Sequence, residues 1–115
     1  MDSILNTTKK LLGLDGDYAP FDTDIIVNIN AAFNTLTQLG VGPKEGYMIE
    51  GADNTWDEFT TDVKILGMLK QYLYLKTKVI FDPPATSFVG DALKNQAEQM
   101  EWRMKEQAEF GGEAE

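Results

Sequence analysis

Four aspartates lie close together in the first quarter of the chain, and closely spaced carboxylates are the ligands that Ca²⁺ prefers in loops. They are Asp15, Asp17, Asp22 and Asp24. An EF-hand loop needs glycine at its sixth position, but counting from Asp15 places Pro20 there, and counting from Asp53 places Glu58 there. Because aspartate also favours turns and helix starts, we interpret these residues as turn formers and caps, and we predict no metal site.

The side chains most used in nucleophilic catalysis are absent, because the chain has no cysteine and no histidine. Ser-His-Asp and Cys-His mechanisms, zinc fingers and disulfides are therefore excluded. Carboxylate pairs such as Asp57/Glu58 and Glu98/Glu101 lie on exposed helix faces, without the desolvated pocket that acid–base chemistry needs. The string GVGP lacks the ending of a phosphate loop and follows a helix. The sequence thus predicts no catalytic residue, no cofactor and no enzyme activity.

The chain of 115 residues is long enough for one domain with its own core, and its net charge is −9. Residues 1–54 carry 3 basic and 8 acidic side chains and residues 86–115 carry 3 and 7, whereas residues 55–85 carry 4 of each. Lys9 and Lys10 are interpreted as solvated charges near a helix end. Such a charge disfavours binding to free nucleic acid and to anionic membranes. Neither a membrane span nor a signal peptide is expected.

The spacing of apolar residues predicts two helices in the first third of the chain. The first runs from Asp2 to about Gly13, with Asp2 or Ser3 as its cap. The second begins at Asp22, a favourable N-cap, and ends at Gly40. Its apolar stripe consists of Ile25, Ile29, Ala32, Leu36 and Leu39, flanked by Ile26 and Phe33.

A short extended excursion is predicted for residues 44–55, too short to found a sheet. The third helix is predicted from Thr55 to about Phe81, because Thr55 and Glu58 have the spacing of a capping box. Its second half is apolar on nearly all sides. This pattern indicates burial on several sides, one of them against another chain. Asp82-Pro83-Pro84 then ends the helix.

The fourth helix is predicted from Thr86 or Ser87 to Phe110, folded back beside the third. Its core stripe consists of Val89, Leu93, Ala97, Met100 and Met104. The predicted fold class is all-α, a small bundle of about four helices with the short excursion between the second and third. One helical domain covers residues 1–110, and residues 111–115 form an acidic, flexible tail.

Trp102 falls outside the core stripe of the fourth helix. At 100° per residue it lies opposite Leu93, and Phe88 lies near it. An exposed tryptophan costs solubility, and tryptophan is common among interface anchors. We therefore interpret Trp102 as an interface residue; the alternative is that a loop of the same chain covers it.

Four strings in order resemble small phage and prophage head–tail connector proteins, the head-completion or DNA-packaging adaptor family. They are FDTDIIVNINAAFNTLTQLGVGP, TWDEF, LKQYLYLKTKVIFDPP and EWR, within a resemblance that spans about residues 2–109. The resemblance implies a structural, non-enzymatic protein of the virion head–tail junction, made in the bacterial host cytoplasm. Its subunits would form a homo-oligomeric ring, alone or only on the portal protein, and would contact the next connector or tail protein. DNA would pass through without specific binding, and no membrane is involved.

The resemblance also implies, loosely, that neighbour contacts are made by the loop around Tyr47–Trp56 and by the C-terminal helix around Trp102. The predicted subunit or portal interface consists of Trp102, Phe88, Phe110, Tyr47, Met48, Ile49 and Tyr72. The resemblance does not assign which of these faces the portal.

The main alternative function is an acidic helical inhibitor that mimics DNA and blocks a nuclease or a repressor. Such a decoy would use the same carboxylates but would act as a monomer or dimer, whereas a connector forms a large ring. A metal-dependent hydrolase built only on carboxylates is a third hypothesis with little support, and failure to bind Mg²⁺ or Mn²⁺ in calorimetry would dismiss it.

Overall fold

Four α-helices make up the fold in the computed structural model, which describes residues 2–81 and 85–113, with side chains up to residue 109. They are α1 (Ile4–Leu11), α2 (Asp22–Gln38), α3 (Val63–Phe81) and α4 (Ser87–Glu113), with a 3₁₀ turn at Trp56–Glu58 before α3. Within this part of the chain no strand forms. Ser3 and Thr55 make an isolated antiparallel β-bridge, which ties the start of α1 to the turn before α3. The predicted all-α bundle is confirmed. The predicted break at Asp82-Pro83-Pro84 lies outside the described residues, and α4 continues three residues past its predicted end at Phe110.

The ends of α1 and α2 lie close to their predicted positions. Ser3 caps α1, since its Oγ accepts a hydrogen bond from the Asn6 N–H at 3.2 Å. Gly40 follows α2 with a φ of +84°, a left-handed conformation that glycine adopts without a steric penalty. Asp22, predicted as the N-cap of α2, is instead its first helical residue, and Phe21 occupies the cap position.

Lys9 is fully buried, so the prediction of a solvated charge is wrong for this residue. Its ammonium group lies 2.8 Å from the Asp22 carboxylate and donates a hydrogen bond to the Gly16 carbonyl oxygen at 2.9 Å. A buried ammonium is tolerated when such partners replace water. Lys9 therefore joins α1 to the following loop and to the start of α2, while its neighbour Lys10 stays exposed.

The predicted capping box at the start of the third helix is also wrong. The Thr55 hydroxyl donates to the Asp57 carboxylate at 2.6 Å and caps nothing, and the chain makes only a 3₁₀ turn there. The helix begins at Val63, where Asp62 Oδ1 accepts a backbone N–H of the first turn at 2.9 Å. The helix is shorter than predicted because Asp62, not Thr55, satisfies its unpaired N-terminal donors.

Helix α3 is central and contacts each of the other three helices. The largest fully buried apolar side chains include Trp56, Tyr72, Phe33, Ile4 and Met104. The predicted return of α4 along α3 is confirmed, since Met104 is buried and Met100 packs against the core. The predicted core stripe of α4 is only partly correct: Val89 is 45% exposed, because the first turns of α4 pack less closely than the rest.

Candidate interaction surface

Three of the predicted interface residues are strongly exposed. Trp102 is 63% exposed, Phe88 81% and Met48 69%. The first two project from α4, and Met48 projects from the loop between α2 and α3. Trp102 lies next to Arg103 in a shallow depression on the outer surface of α4. No loop in the described part of the chain buries it, so the alternative of an intramolecular cover finds no support there.

Ile49 and Tyr72 are buried within the subunit, in contrast to their predicted place on a surface. Tyr72 projects from α3 towards α4, and its hydroxyl donates to Glu101 Oε2 at 2.7 Å. Burial, together with the hydrogen bond and negative charge of Glu101, raises the pKa of Tyr72. These two side chains stabilise their own subunit and offer no surface to a partner in this conformation. The side chain of Phe110 lies outside the described residues.

The loop that presents Met48 is held by Asn30 of α2. The Asn30 side chain accepts a hydrogen bond from the Ile49 N–H at 2.8 Å and donates one to the Ile49 carbonyl at 3.0 Å. Ile49 enters the core while its neighbour Met48 is exposed, so the hydrogen bonds from Asn30 hold the segment that presents Met48 to solvent.

Tyr47, another predicted interface residue, is partly buried at the base of the same loop. Its ring packs edge-on against Phe33 with centroids 5.1 Å apart, and its hydroxyl donates to Glu58 Oε1 at 2.6 Å. Burial and the Glu58 carboxylate raise the pKa of Tyr47. The hydrogen bonds from Tyr47 and Asn54 in turn lower the pKa of Glu58. Burial of Tyr47 and the hydrogen bonds that order the loop cause these shifts. Tyr47 lines the depression beside Met48, but Glu58 does not.

The described residues contain no group of three or more acidic, histidine or cysteine side chains placed to hold a metal ion. None of the helices in the described ranges combines the length and apolarity that crossing a membrane requires. The described surface carries several exposed apolar side chains, whose chemistry suits protein–protein contact.

A family model described as phage connector protein matches residues 4–111, almost the whole chain. The chain belongs to the phage connector protein family. The match confirms the resemblance carried by the sequence strings. It gives the protein a structural connector role at the head–tail junction of a phage particle. No curated protein and no solved structure matched the chain.

Sequence reasoning missed part of the exposed apolar surface of this phage connector protein. Val27 on α2 is 61% exposed, and Val79 and Ile80 at the end of α3 are 39% and 57% exposed. Val27 lies about 200° around the helix from Ile25, opposite the core stripe, so helical geometry could have identified it. For Val79 and Ile80 the signal was the apolar second half of α3, which did not show which of its members the chain itself would cover.

Proposed function

We propose that this phage connector protein is one subunit of a ring beneath the portal of the phage head. The ring extends the DNA channel and joins the head to the tail. Its partners are further copies of the same chain, the portal protein, and the next connector or tail protein. The observation that carries the proposal is the family match over residues 4–111.

The distribution of exposed apolar side chains supports assembly. Met48 and Val27 lie on the α2 side of the subunit, and Trp102 and Phe88 lie on α4. A subunit in a ring contacts one neighbour on each side and, in a connector, partners above and below. Several separate apolar surfaces suit such a subunit better than one surface would.

The charge of the chain supports a channel through which DNA passes without being held. Affinity for DNA comes mainly from cationic side chains on the protein, and this chain has a net charge of −9. We therefore expect no sequence-specific binding to duplex DNA. Submicromolar affinity at physiological salt, measured by fluorescence anisotropy, would contradict this part of the proposal.

Electron microscopy of the protein with and without its cognate portal tests the ring. We expect an added ring of density on the portal, compared with portal particles prepared without the protein. Portal particles that stay bare at saturating protein concentration would overturn the proposal. The family match lends no support to the DNA-mimic alternative, which requires a monomer or dimer that competes with DNA for a nucleic-acid-binding protein.

A further inference from the structure

Helix α4 is held to the rest of the subunit by its second half. The apolar side chains of α4 that join the core recur every three or four residues along one face; they are Ala97, Met100, Met104 and Ala108. Within the described residues, the side-chain hydrogen bonds from α4 to other elements lie in the same half. Tyr72 of α3 donates to Glu101 at 2.7 Å, and Gln107 donates to Asp62 at 3.1 Å. Apolar packing and polar contacts thus both hold residues 97–108 in place.

The first half of α4, residues 87–96, is held much less firmly. None of these ten side chains is buried: Phe88 is 81% exposed and Val89 45%, and Leu93 is only partly buried. In the described part of the chain, no side-chain hydrogen bond or ion pair joins this half to α3. Gly90 also lies here, and glycine is among the weakest helix formers.

A groove of about 510 Å³ runs between this half and the end of α3. Helix α3 lines it with Leu75, Val79 and Ile80, and the first half of α4 lines it with Gly90 and Leu93. Val79 and Ile80 are 39% and 57% exposed, so the two helices do not close on each other here. Close packing contributes much of the stability of an interface between helices, and this part of the interface lacks it.

The first half of α4 is nevertheless a capped helix in the structure. Thr86 Oγ1 accepts a hydrogen bond from the Val89 N–H at 3.2 Å, and the Thr86 carbonyl accepts one from the Gly90 N–H at 3.1 Å. The docked second half continues the same helix, so the first half forms by propagation and needs no costly nucleus of its own. A closed, helical state is therefore accessible at any time from an open one.

We propose that residues 87–96 are a locally opening segment, which leaves α3 and loses its helical hydrogen bonds as one unit while residues 97–108 stay docked. Segments with few buried apolar contacts and an exposed backbone open at the lowest free energy. Opening removes one wall of the groove and uncovers its other wall, formed by Leu75, Val79 and Ile80. The segment thereby controls how much apolar surface of α3 the subunit presents. This property belongs to the single subunit and does not depend on the ring proposed above.

Native-state hydrogen exchange of the full chain, followed by NMR at single amides, tests the proposal. The informative comparison is between residues 91–96 and 101–108. The first four N–H groups of a helix lack helical acceptors, and those of residues 97–100 have their acceptors in the opening segment. We expect protection factors in 91–96 that are similar to one another and at least ~10-fold below those in 101–108. Equal protection in the two halves would overturn the proposal, and so would protection that rises residue by residue from the helix end, which is ordinary fraying.

Dilute urea separates local opening from global unfolding. The dependence of an exchange rate on urea scales with the surface that the opening exposes. We therefore expect exchange in residues 91–96 to respond weakly to urea and exchange in residues 101–108 to respond strongly. Equal dependence would show that the subunit opens all at once, against the proposal.

Two glycine-to-alanine variants provide a matched test. Gly67→Ala changes an exposed position of α3 with open space around the new methyl group. It stabilises α3 in the closed and the locally open state alike, so it should slow exchange in 101–108 about fivefold and leave 91–96 unchanged. Gly90→Ala stabilises only the closed state of the segment and should slow exchange in both ranges about fivefold. If Gly67→Ala also slows exchange in 91–96, or Gly90→Ala does not, the segment does not open as proposed.

Discussion

At the scale of single residues, the burial of Lys9 has the clearest energetic consequence. Its ammonium group is fully buried and is satisfied by the Asp22 carboxylate and the Gly16 carbonyl. Removing one member of a buried ion pair costs about 3–5 kcal/mol, because the other charge is left without a partner. Since the Asp22 side chain is 30% exposed, water can compensate it in part.

We therefore expect Lys9→Met to lower the free energy of unfolding by about 2 kcal/mol, somewhat below the cost for a fully buried pair. Lys10→Met is the matched control: it removes the same charge at the next, exposed position and should change stability by no more than ~0.5 kcal/mol. Urea denaturation of the three proteins measures both differences. Equal losses for the two variants would show that helix charge, and not burial, accounts for the effect.

Helical geometry places Lys9 about 40° from Leu5, at the edge of the apolar face of α1, and Lys10 on the opposite side. It could not show that Lys9 is fully buried, because its partners come from the following loop and from α2. Trp102 was different, since its position opposite Leu93 follows from helical geometry alone. For Tyr72, helical geometry could not show whether another helix of the same chain or a partner covers the side chain. It indicates that the second half of α3 is apolar on nearly all sides, but α4 of the same chain covers Tyr72, and no pattern within α3 specifies the covering element.

At the scale of elements, the turn after α2 depends on Gly42. Its φ is +88°, and a Cβ at this position would overlap the Phe59 ring. Gly42→Ala combines left-handed strain of about 1–2 kcal/mol with this overlap, so we expect a loss of more than ~2 kcal/mol in the free energy of unfolding. Gly40→Ala has a similar φ of +84° but open space around the new methyl group, and it should cost about 1 kcal/mol. Thermal denaturation of both variants makes the comparison, and identical losses would exclude a role for the Phe59 contact.

The start of α3 depends on Asp62, whose second carboxylate oxygen accepts a hydrogen bond from Gln107 of α4 at 3.1 Å. Burial raises the pKa of Asp62, but the hydrogen bonds from Gln107 and from the α3 backbone outweigh it, so that the net pKa lies below its usual value. A lowered pKa in the folded state means that Asp62 stabilises the fold above its unfolded pKa of about 3.9. This contribution disappears as the pH falls through the lower, folded-state pKa.

Asp62→Asn should therefore flatten the decline of stability with acid pH, because asparagine still caps the helix but does not titrate. At neutral pH we expect a loss of about 1 kcal/mol, since a charged acceptor becomes a neutral one. Urea titrations between neutral pH and about pH 2, which spans the ordinary aspartate pKa, measure the slope. An unchanged slope would show that Asp62 is not coupled to folding.

Local sequence signals located the ends of α1 and α2 well, because serine and glycine at those positions act on their own helices. The start of α3 was misplaced because Thr55 and Asp62 are both acceptable caps. The choice between them depends on distant partners. Thr55 is paired with Ser3 before α1, whereas Asp62 is held by Gln107 near the end of α4.

At the scale of the whole molecule, periodicity predicted the helix count, and the proline turn with the apolar stripe of the fourth helix predicted its return along α3. A fold of this kind serves many functions. The family match supplies the connector role. Exposure in the folded subunit then separates residues that can meet a partner from those that stabilise the core. Ile49, for example, belongs to the core, whereas its neighbour Met48 is exposed.

Trp102 is a predicted interface residue, and comparing it with Trp56 tests that prediction directly. Trp102→Ala should change the free energy of unfolding of the monomer by no more than ~0.5 kcal/mol, because the side chain is 63% exposed. Trp56→Ala should cost about 3–5 kcal/mol, since Trp56 is fully buried.

If Trp102 contacts another subunit or the portal, its loss should weaken assembly on the portal by more than ~1 kcal/mol per contact. Every contact in a ring carries the same substitution, so the loss accumulates around the ring. Chemical denaturation of the monomer and electron microscopy with the portal measure the two effects, and a destabilised Trp102→Ala monomer that still assembles normally would place Trp102 in the core.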